Sequence, residues 1–563
     1  MSQRRFEPAS PGAAVPTTAL SMIDARVAAT PDRPALRFRR GELWQTLTWR
    51  DWDLASRRLA LGLRGRCGVA PGDRVALCAD NCVEWALADL AIARAGAISV
   101  PIFPTVTGAQ ARAILADSGC VAAIVDQGER VRRLLAAEGP ALTLRHLILT
   151  GRDQRGPGLE GAGAVGVTVT DLDTLDEDGA GAGADAWEAL DALGAALGAD
   201  DEFTWVYTSG TTGGPKGVVL SHRSLCHECW AVGHAVAVSA RDEHLMILPL
   251  AQIFARHMLW GSIAWGAVTS FGGGPQTLED DLQAIAPTFF AGVPRIYERA
   301  YNRIETDIRL GGALRRGALE WCIDVGREVS ELRRRGRTPA PRLAARHRVA
   351  ERVLFRPIRA RFGGRLRFCI SGGAPLSREI AEFFDALGVL ILEGYGLTES
   401  CGAAHVNRPD RYRFGTVGPA LPGVETRIAV DGEILLRGPG VMRRYHGHPR
   451  DTAAVVDDQG WLHTGDLGMI DDGFLRITGR KKDIIITAGG RSIAPQMIEK
   501  RLASVDGIAQ VMVYGDRRPF LVALVAIDEA VMRALAEREG LSARTHAELA
   551  RHPRIRQVVQ GHV

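Results

Sequence analysis

Short runs of strand length alternate with stretches of helical spacing through the first part of the chain. Apolar positions recur at helical intervals over 20–29, 49–63 and 84–95, and Gly96 is placed to end the third helix. Between them, 35–39, 75–78, 98–102, 121–124 and 147–149 read as strands. This alternation predicts a largely parallel sheet with helices on its faces, an α/β fold. The pattern lapses between 151 and 200, where Gly, Ala and Asp dominate, and a surface connection is expected there. Gly161-Ala162-Gly163-Ala164-Val165-Gly166 matches G-x-G-x-x-G, but no strand runs into it and the match is weak.

The alternation resumes with a strand at 203–207 and a helix from Ser221. Further strands are expected at 246–250, 268–271, 288–293, 367–371 and 389–392, with a long helical region at 304–362. From Gly432 the strands shorten, to 433–436, 461–462, 469–470 and 475–478. The last part predicts a small α+β unit: a helix at 495–502, strands at 509–514 and 520–527, and a helix at 529–538.

Composition narrows this picture. At 563 residues the chain exceeds one ordinary domain. Its 69 basic and 65 acidic side chains nearly cancel, so no nucleic-acid partner is expected. The nine cysteines are scattered, and Cys226-His227-Glu228-Cys229 has no second pair at zinc spacing, so reduced thiols in a cytosol are expected. No apolar run follows Arg4 and Arg5, where a secretory signal would need one. The best membrane candidate, 245–268, is broken by Pro249, Gln252, Arg256 and His257 and reads as buried core. The arginine-rich region 304–362, with Arg333-Arg334-Arg335, reads first as a solvated helical face. The alternative is peripheral contact with the anionic inner face of a membrane, or with a phosphate-bearing cosubstrate.

Against that background one stretch stands out: Tyr207-Thr208-Ser209-Gly210-Thr211-Thr212-Gly213-Gly214-Pro215-Lys216-Gly217. Glycines let backbone N–H groups turn toward an anion, and hydroxyls add mobile donors. Lys216 adds a compact charge on a flexible stem, in a chain whose only lysines are Lys216, Lys481, Lys482 and Lys500. Pro215-Lys216-Gly217 departs from the common G-x-x-x-x-G-K-[ST] loop, so this is a phosphate cradle of another kind. Two more glycine-rich turns follow expected strands: Ser371-Gly372-Gly373-Ala374-Pro375 and Glu393-Gly394-Tyr395-Gly396-Leu397-Thr398-Glu399-Ser400. Ligands of open α/β sheets sit beyond the carboxyl ends of strands. There Tyr395 could lay its ring on a flat base, and Glu399 could hold a hard cation beside phosphates. Asp466, in the expected turn Thr464-Gly465-Asp466, could accept ribose hydroxyls.

In this order, these stretches and Gly479-Arg480-Lys481-Lys482-Asp483 resemble the motif series of the adenylate-forming (AMP-binding) enzymes. Leu248-Pro249-Leu250-Ala251, Gly292-Val293-Pro294-Arg295 and 488–495 are similar to bacterial long-chain fatty acyl-CoA synthetases. The resemblance implies a large N-terminal domain, 1–479, of stacked mostly parallel sheets with helices and a small β-barrel-like part. It implies a hinge at 480–482 and a small mobile α+β domain at 483–563. The implied reaction joins a fatty acid to AMP, using ATP and Mg2+, and then to coenzyme A. The implied roles place the triphosphate on Thr208, Ser209, Gly210, Thr211, Thr212, Gly213 and Lys216. Ala374 and Tyr395 flank adenine, Gly373, Pro375, Gly394 and Gly396 are further nucleotide-binding positions, and the α-phosphate falls against Thr398. Magnesium falls on Glu399, ribose on Asp466 and Arg480, and the hinge on Lys482; Lys216, Thr398 and Glu399 are the catalytic candidates.

There are two departures from the family pattern. Gln252 stands where many long-chain enzymes have His, which leaves the acyl length open. The family also carries a lysine near its C-terminus, and none follows Lys500 here. The small domain is therefore expected to be incomplete and the first half-reaction poor. A fatty acyl-AMP ligase and a non-catalytic nucleotide- or lipid-binding remnant stand as alternatives.

Overall fold

The computed structural model describes residues 15–563 apart from 137–138, 152–165, 209–213, 275, 310–312, 504, 506, 543–544 and 562–563. Two eight-stranded sheets take up most of the apolar runs. Across the first, the strands are Gly402–Val406, Ile391–Leu397, Phe368–Ser371, Phe289–Gly292, Glu243–Leu245, Val268–Phe271, Pro34–Arg40 and Leu43–Thr48. Its inner strands are parallel and each edge strand is antiparallel. Across the second they are Arg444–Tyr445, Lys216–Ser221, Glu202–Thr208, Ile98–Pro101, Arg74–Cys78, Ala122–Val125, His146–Leu149 and Thr168–Asp171. The strands from Glu202–Thr208 onward in that order are parallel, and Lys216–Ser221 runs antiparallel to both of its neighbours, Glu202–Thr208 and Arg444–Tyr445. A third sheet is antiparallel: Glu425–Ile428, Glu433–Arg437, Leu462–Asp471 and Phe474–Arg480. Beyond it lies a small α+β part built on the hairpin Ile508–Tyr514 and Val522–Ile527.

One core joins the two large sheets. Leu77, Ile124 and Phe203 of one pack in the same cluster as Phe271, Phe289 and Phe368 of the other. The helices Val83–Arg94, His222–Val236 and Ile253–Trp265 supply much of the rest. The helix Ile253–Trp265 is buried nearly all round, as 245–268 predicts, and among the described residues no helix is long and apolar enough to cross a membrane. Cys226 and Cys229 are buried on one face of His222–Val236, three residues apart.

Within that core sits a charged pair. Arg256 and Asp89 are 1% and 0% exposed, and Arg256 Nη2 lies 2.8 and 2.9 Å from the two Asp89 oxygens. Asp89 also accepts from Ser99 Oγ at 2.7 Å and Trp260 Nε1 at 2.8 Å, while Arg256 Nη1 donates to Thr204 Oγ1 at 2.5 Å. The guanidinium lies 5.7 Å from the Trp85 ring and 5.0 Å from the Phe203 ring. Both ions lose water here, so only this dense set of donors and acceptors makes the burial tolerable.

Two expectations need correction. The segment 151–200 is not a plain surface connection. It contains the strand Thr168–Asp171 and the helices Leu172–Ala180 and Ala184–Ala196. Small residues conceal the helix contacts: a Cβ on Gly179 would fall 2.0 Å from Arg58 O, and one on Gly62 would fall 2.4 Å from Leu175 O. Of the G-x-G-x-x-G match, 161–165 fall outside the described residues. The second correction concerns 246–250, expected as a strand. The strand is Glu243–Leu245, and the chain then leaves the ladder. Pro249 lacks an N–H, and Asn81 takes over the pairing, donating to Leu248 O at 2.8 Å and accepting from Leu250 N at 2.9 Å.

Asp89→Ala should destabilise the protein by about 3–5 kcal/mol, because it strands the Arg256 charge. Asp89→Ala with Arg256→Met should recover much of that loss. Urea denaturation measures both, and a small loss in the single variant would mean that the guanidinium finds water.

Candidate active site

The candidate cradle hangs on a hairpin rather than between a strand and a helix. Glu202–Thr208 leads into it, and the chain returns antiparallel through Lys216–Ser221, with Thr208 opposite Lys216. Val218, Val219 and Leu220 are fully buried, which makes the return a strand before the helix begins. Ser221 then caps that helix, its Oγ accepting from Ser224 N at 3.2 Å. Ser209, Gly210, Thr211, Thr212 and Gly213 fall outside the described residues.

Lys216 is described, and its surroundings are specific. Its Nζ lies 2.8 Å from Asp451 Oδ2 and 5.6 Å from the centre of the Tyr445 ring. The Tyr445 hydroxyl donates to Glu399 Oε1 at 2.7 Å. Backbone pairing holds Tyr445 there: Arg444 and Tyr445 sit opposite Val219 and Val218, and His446 stacks on Trp205 at 4.0 Å. The structure thus brings Lys216 over the ring, and Glu399 to the hydroxyl, of one phenol. Tyr445 and Asp451 were not among the residues singled out from the sequence, and no spacing in it links 445 or 451 to 216.

Glu399 belongs to a tight 3-10 turn, Thr398–Ser400, at the end of the strand Ile391–Leu397. The expected strand starts later and runs on through Tyr395, because Gly402–Val406 folds back to pair with it. Glycine is required in that fold-back: a Cβ on Gly396 would fall 1.6 Å from Gly402 O. Behind the turn, Glu228 accepts from Ala403 N at 2.8 Å, and burial pushes its carboxyl well above the usual carboxylate range.

Tyr395, Asp466 and Arg480 meet directly. Asp466 Oδ2 accepts from the Tyr395 hydroxyl at 2.8 Å, and Oδ1 from Arg480 Nε at 2.9 Å. Burial first, and then the Asp466 charge, push the Tyr395 phenol above its ordinary value. Asp466 is expected in a turn, but it lies inside the strand Leu462–Asp471, opposite Arg480 in register. Gly465, at φ 70°, distorts the strand just before it.

The turn carrying Gly373, Ala374 and Pro375 is exposed at the edge of the same region. Glu393 Oε2 accepts from Leu376 N at 3.1 Å and ties this turn to the Tyr395 strand. Gln252 reaches the turn, since a Cβ on Gly373 would lie 3.6 Å from its Nε2. Lys481 lies 2.6 Å from Asp431 and 3.1 Å from Glu433, and Glu433 also accepts from Gly465 N at 2.9 Å. Burial raises the Glu433 carboxyl, but these bonds outweigh it and hold the group below its ordinary value. Lys482 is exposed in the 3-10 turn Lys481–Asp483.

Asp451→Asn should leave the urea midpoint unchanged, because the Lys216–Asp451 pair keeps contact with water. A clear drop would mark the pair as a structural tie rather than a replaceable partner of the lysine.

Residues 23–446 match the family described as AMP-binding enzyme. The long-chain-fatty-acid–CoA ligase FadD15 of Mycobacterium tuberculosis is 36% identical over 504 residues, covering 89% of this chain and 80% of that protein. The peroxisomal long chain acyl-CoA synthetase 6 of Arabidopsis thaliana is 32% identical over 514 residues, 87% of this chain and 70% of that protein. Among solved structures, the adenylation domain of a carboxylate reductase from Mycobacterium chelonae superposes with a TM-score of 0.75 at 21% identity. That match covers 99% of this chain and 85% of the other. A Mycobacterium tuberculosis fatty acyl CoA synthetase gives 0.63 at 23% identity, covering 94% and 92%. At these identities the two structures speak for the fold.

Proposed function

This chain belongs to the AMP-binding enzyme family, and from that membership we propose that it activates a long-chain fatty acid with ATP and transfers it to coenzyme A. In the first step a carboxylate oxygen attacks the α-phosphorus, and the bond from that phosphorus to pyrophosphate breaks. In the second the thiol gives up its proton, its sulfur attacks the acyl carbonyl, and the C–O bond to AMP breaks. The intermediate is needed because a carboxylate is a poor electrophile, and AMP leaves far more readily than oxide.

The observation that carries the reading is the grouping of Lys216, Tyr445 and Glu399, four residues along the chain from the Tyr395–Asp466–Arg480 contact. It offers a cation and a carboxylate for phosphates beside an aromatic ring and a carboxylate for a nucleoside. In this reading Lys216, with Thr208 and the loop after it, neutralises the triphosphate. Thr398 donates to the α-phosphate. Tyr395 and the turn Gly373-Ala374-Pro375 flank adenine, and Asp466 and Arg480 hold the ribose.

Magnesium fits Glu399. Its Oε1 takes the Tyr445 hydroxyl, and its second oxygen has no hydrogen-bond partner among the described residues. No cluster of three acidic, histidine or cysteine side chains stands ready for a metal among the described residues. At Glu399 the ion would be held by one carboxylate and the phosphates, whose charge it would neutralise when bound. We place the large domain at 1–479, the hinge at 480–482 with Lys482 as its pivot, and the mobile part at 483–563. The Lys481 contacts with Asp431 and Glu433 would steady one orientation of that part.

Supplying ATP, magnesium, coenzyme A and a series of fatty acids tests the proposal, which expects acyl thioester, AMP and pyrophosphate. Adenylate with no thioester would contradict it. Lys216→Ala should slow ATP–pyrophosphate exchange by about 2–4 kcal/mol of barrier, and unchanged exchange would remove the lysine from this role. Asp466→Asn should raise KM for ATP more than it lowers kcat, because ribose is held in ground and transition states alike. Collapse of kcat at intact KM would give Asp466 another part.

A further inference from the structure

The arginine-rich region divides into two kinds of surface. Among the described side chains of the helix Ala313–Arg334 and the residue after it, Arg316 pairs with Glu320, Arg327 with Asp324, Arg333 with Asp385, Arg334 with Glu382 and Arg335 with Glu331. The run Arg333-Arg334-Arg335 is therefore neutralised by the fold. The next helical stretch differs. Between 341 and 365 there are eight arginines and one acid, Glu351, in a chain whose net charge is +4. Glu351 is taken by Arg359, and Arg346 meets Glu328 at 3.7 Å. Arg342, Arg348, Arg352 and Arg356 are exposed and meet no carboxylate among the described residues.

Three of these arginines, Arg348, Arg352 and Arg356, share one face. Pro341–Ala350, the π-helical turn Glu351–Phe355 and Arg356–Arg361 follow one another without a break. Leu343, Ala350, Leu354, Phe355 and Ile358 bury the opposite side. In a regular α-helix, positions four apart drift steadily around the axis. The wider π turn counters that drift, so Arg348, Arg352 and Arg356 stay in line. Val349 and Val353 flank this row, 51% and 52% exposed.

We propose that this face docks on a bilayer containing anionic lipid. Arginines near such a surface are attracted by its potential. Exposed valines between them gain from contact with acyl chains, which a nucleic acid does not provide, and the face has no aromatic side chain for stacking on bases. The proposal rests on the fatty-acid reading above, since that substrate partitions into bilayers.

The test sediments the full chain with vesicles of phosphatidylglycerol and phosphatidylcholine, and with phosphatidylcholine alone. Binding should need the anionic lipid and fall with salt. Arg348→Gln, Arg352→Gln and Arg356→Gln together should lower partitioning about a hundredfold, at about fivefold per charge. Val349→Ser with Val353→Ser should also weaken binding, without changing its salt dependence. Equal binding to both vesicles, or a triple variant that partitions like wild type, would overturn the proposal. So would release by duplex DNA when the valine variant binds like wild type, which would mark a nucleic-acid surface. Thioester synthesis from a soluble acid in vesicle-free buffer separates the two readings. The triple variant should match wild type there, showing intact folding, and a wild type inactive in that assay would count against the activity alone.

Discussion

The structure turns on the buried pair of Asp89 and Arg256. An ion pair with almost no exposure survives only if its hydrogen-bonding capacity is filled, and Ser99, Thr204 and Trp260 fill it. Those partners come from different elements. Thr204 lies on the strand that ends at Thr208 and opens the candidate cradle. Arg256 and Trp260 lie on the helix that starts just after Gln252, beside the Gly373 turn. One anchor therefore sets the relative positions of loops belonging to two different sheets.

From that anchor the site is assembled by short contacts across long sequence distances. The Tyr445 backbone pairs with the cradle hairpin while its hydroxyl reaches the Glu399 turn. Tyr395, four residues before Glu399, reaches Asp466 in the antiparallel sheet. The chain leaves that sheet through Arg480 and Lys481, both already held by acids of the sheet, Asp466, Asp431 and Glu433. The candidate nucleotide contacts and the exit toward the small α+β part are thus neighbours, which suits a reaction whose two steps need different surroundings.

Much of this was legible in the sequence, and the failures have causes. Alternating strands and helices predicted the parallel sheets because strands buried on both faces leave unbroken apolar runs. Thr208, Lys216, Tyr395, Glu399, Asp466 and Arg480 stand out in the sequence as candidates because glycine-rich turns and scarce lysines are local signals. Tyr445, Asp451 and Glu433 carry no such signal, because their side chains find their partners across long sequence distances. Asp466 was expected in a turn because Thr-Gly-Asp is turn chemistry, but the ladder with Arg480 prevailed. The helices at 172–196 were hidden by their glycines and alanines, which the structure uses for close packing. The sequence does not separate Arg333-Arg334-Arg335, which the fold pairs with acids, from Arg348, Arg352 and Arg356, since linear charge density does not reveal which partners the fold supplies.

In the proposed reaction a carboxylate oxygen forms the new bond to the α-phosphorus of ATP. Turnover of a fatty acid carrying heavy oxygen in both carboxylate positions, followed by mass spectrometry of the nucleotide, tests this most directly. One labelled oxygen is expected in each AMP released. Unlabelled AMP, or label in inorganic phosphate accompanied by ADP, would place the attack elsewhere and contradict it.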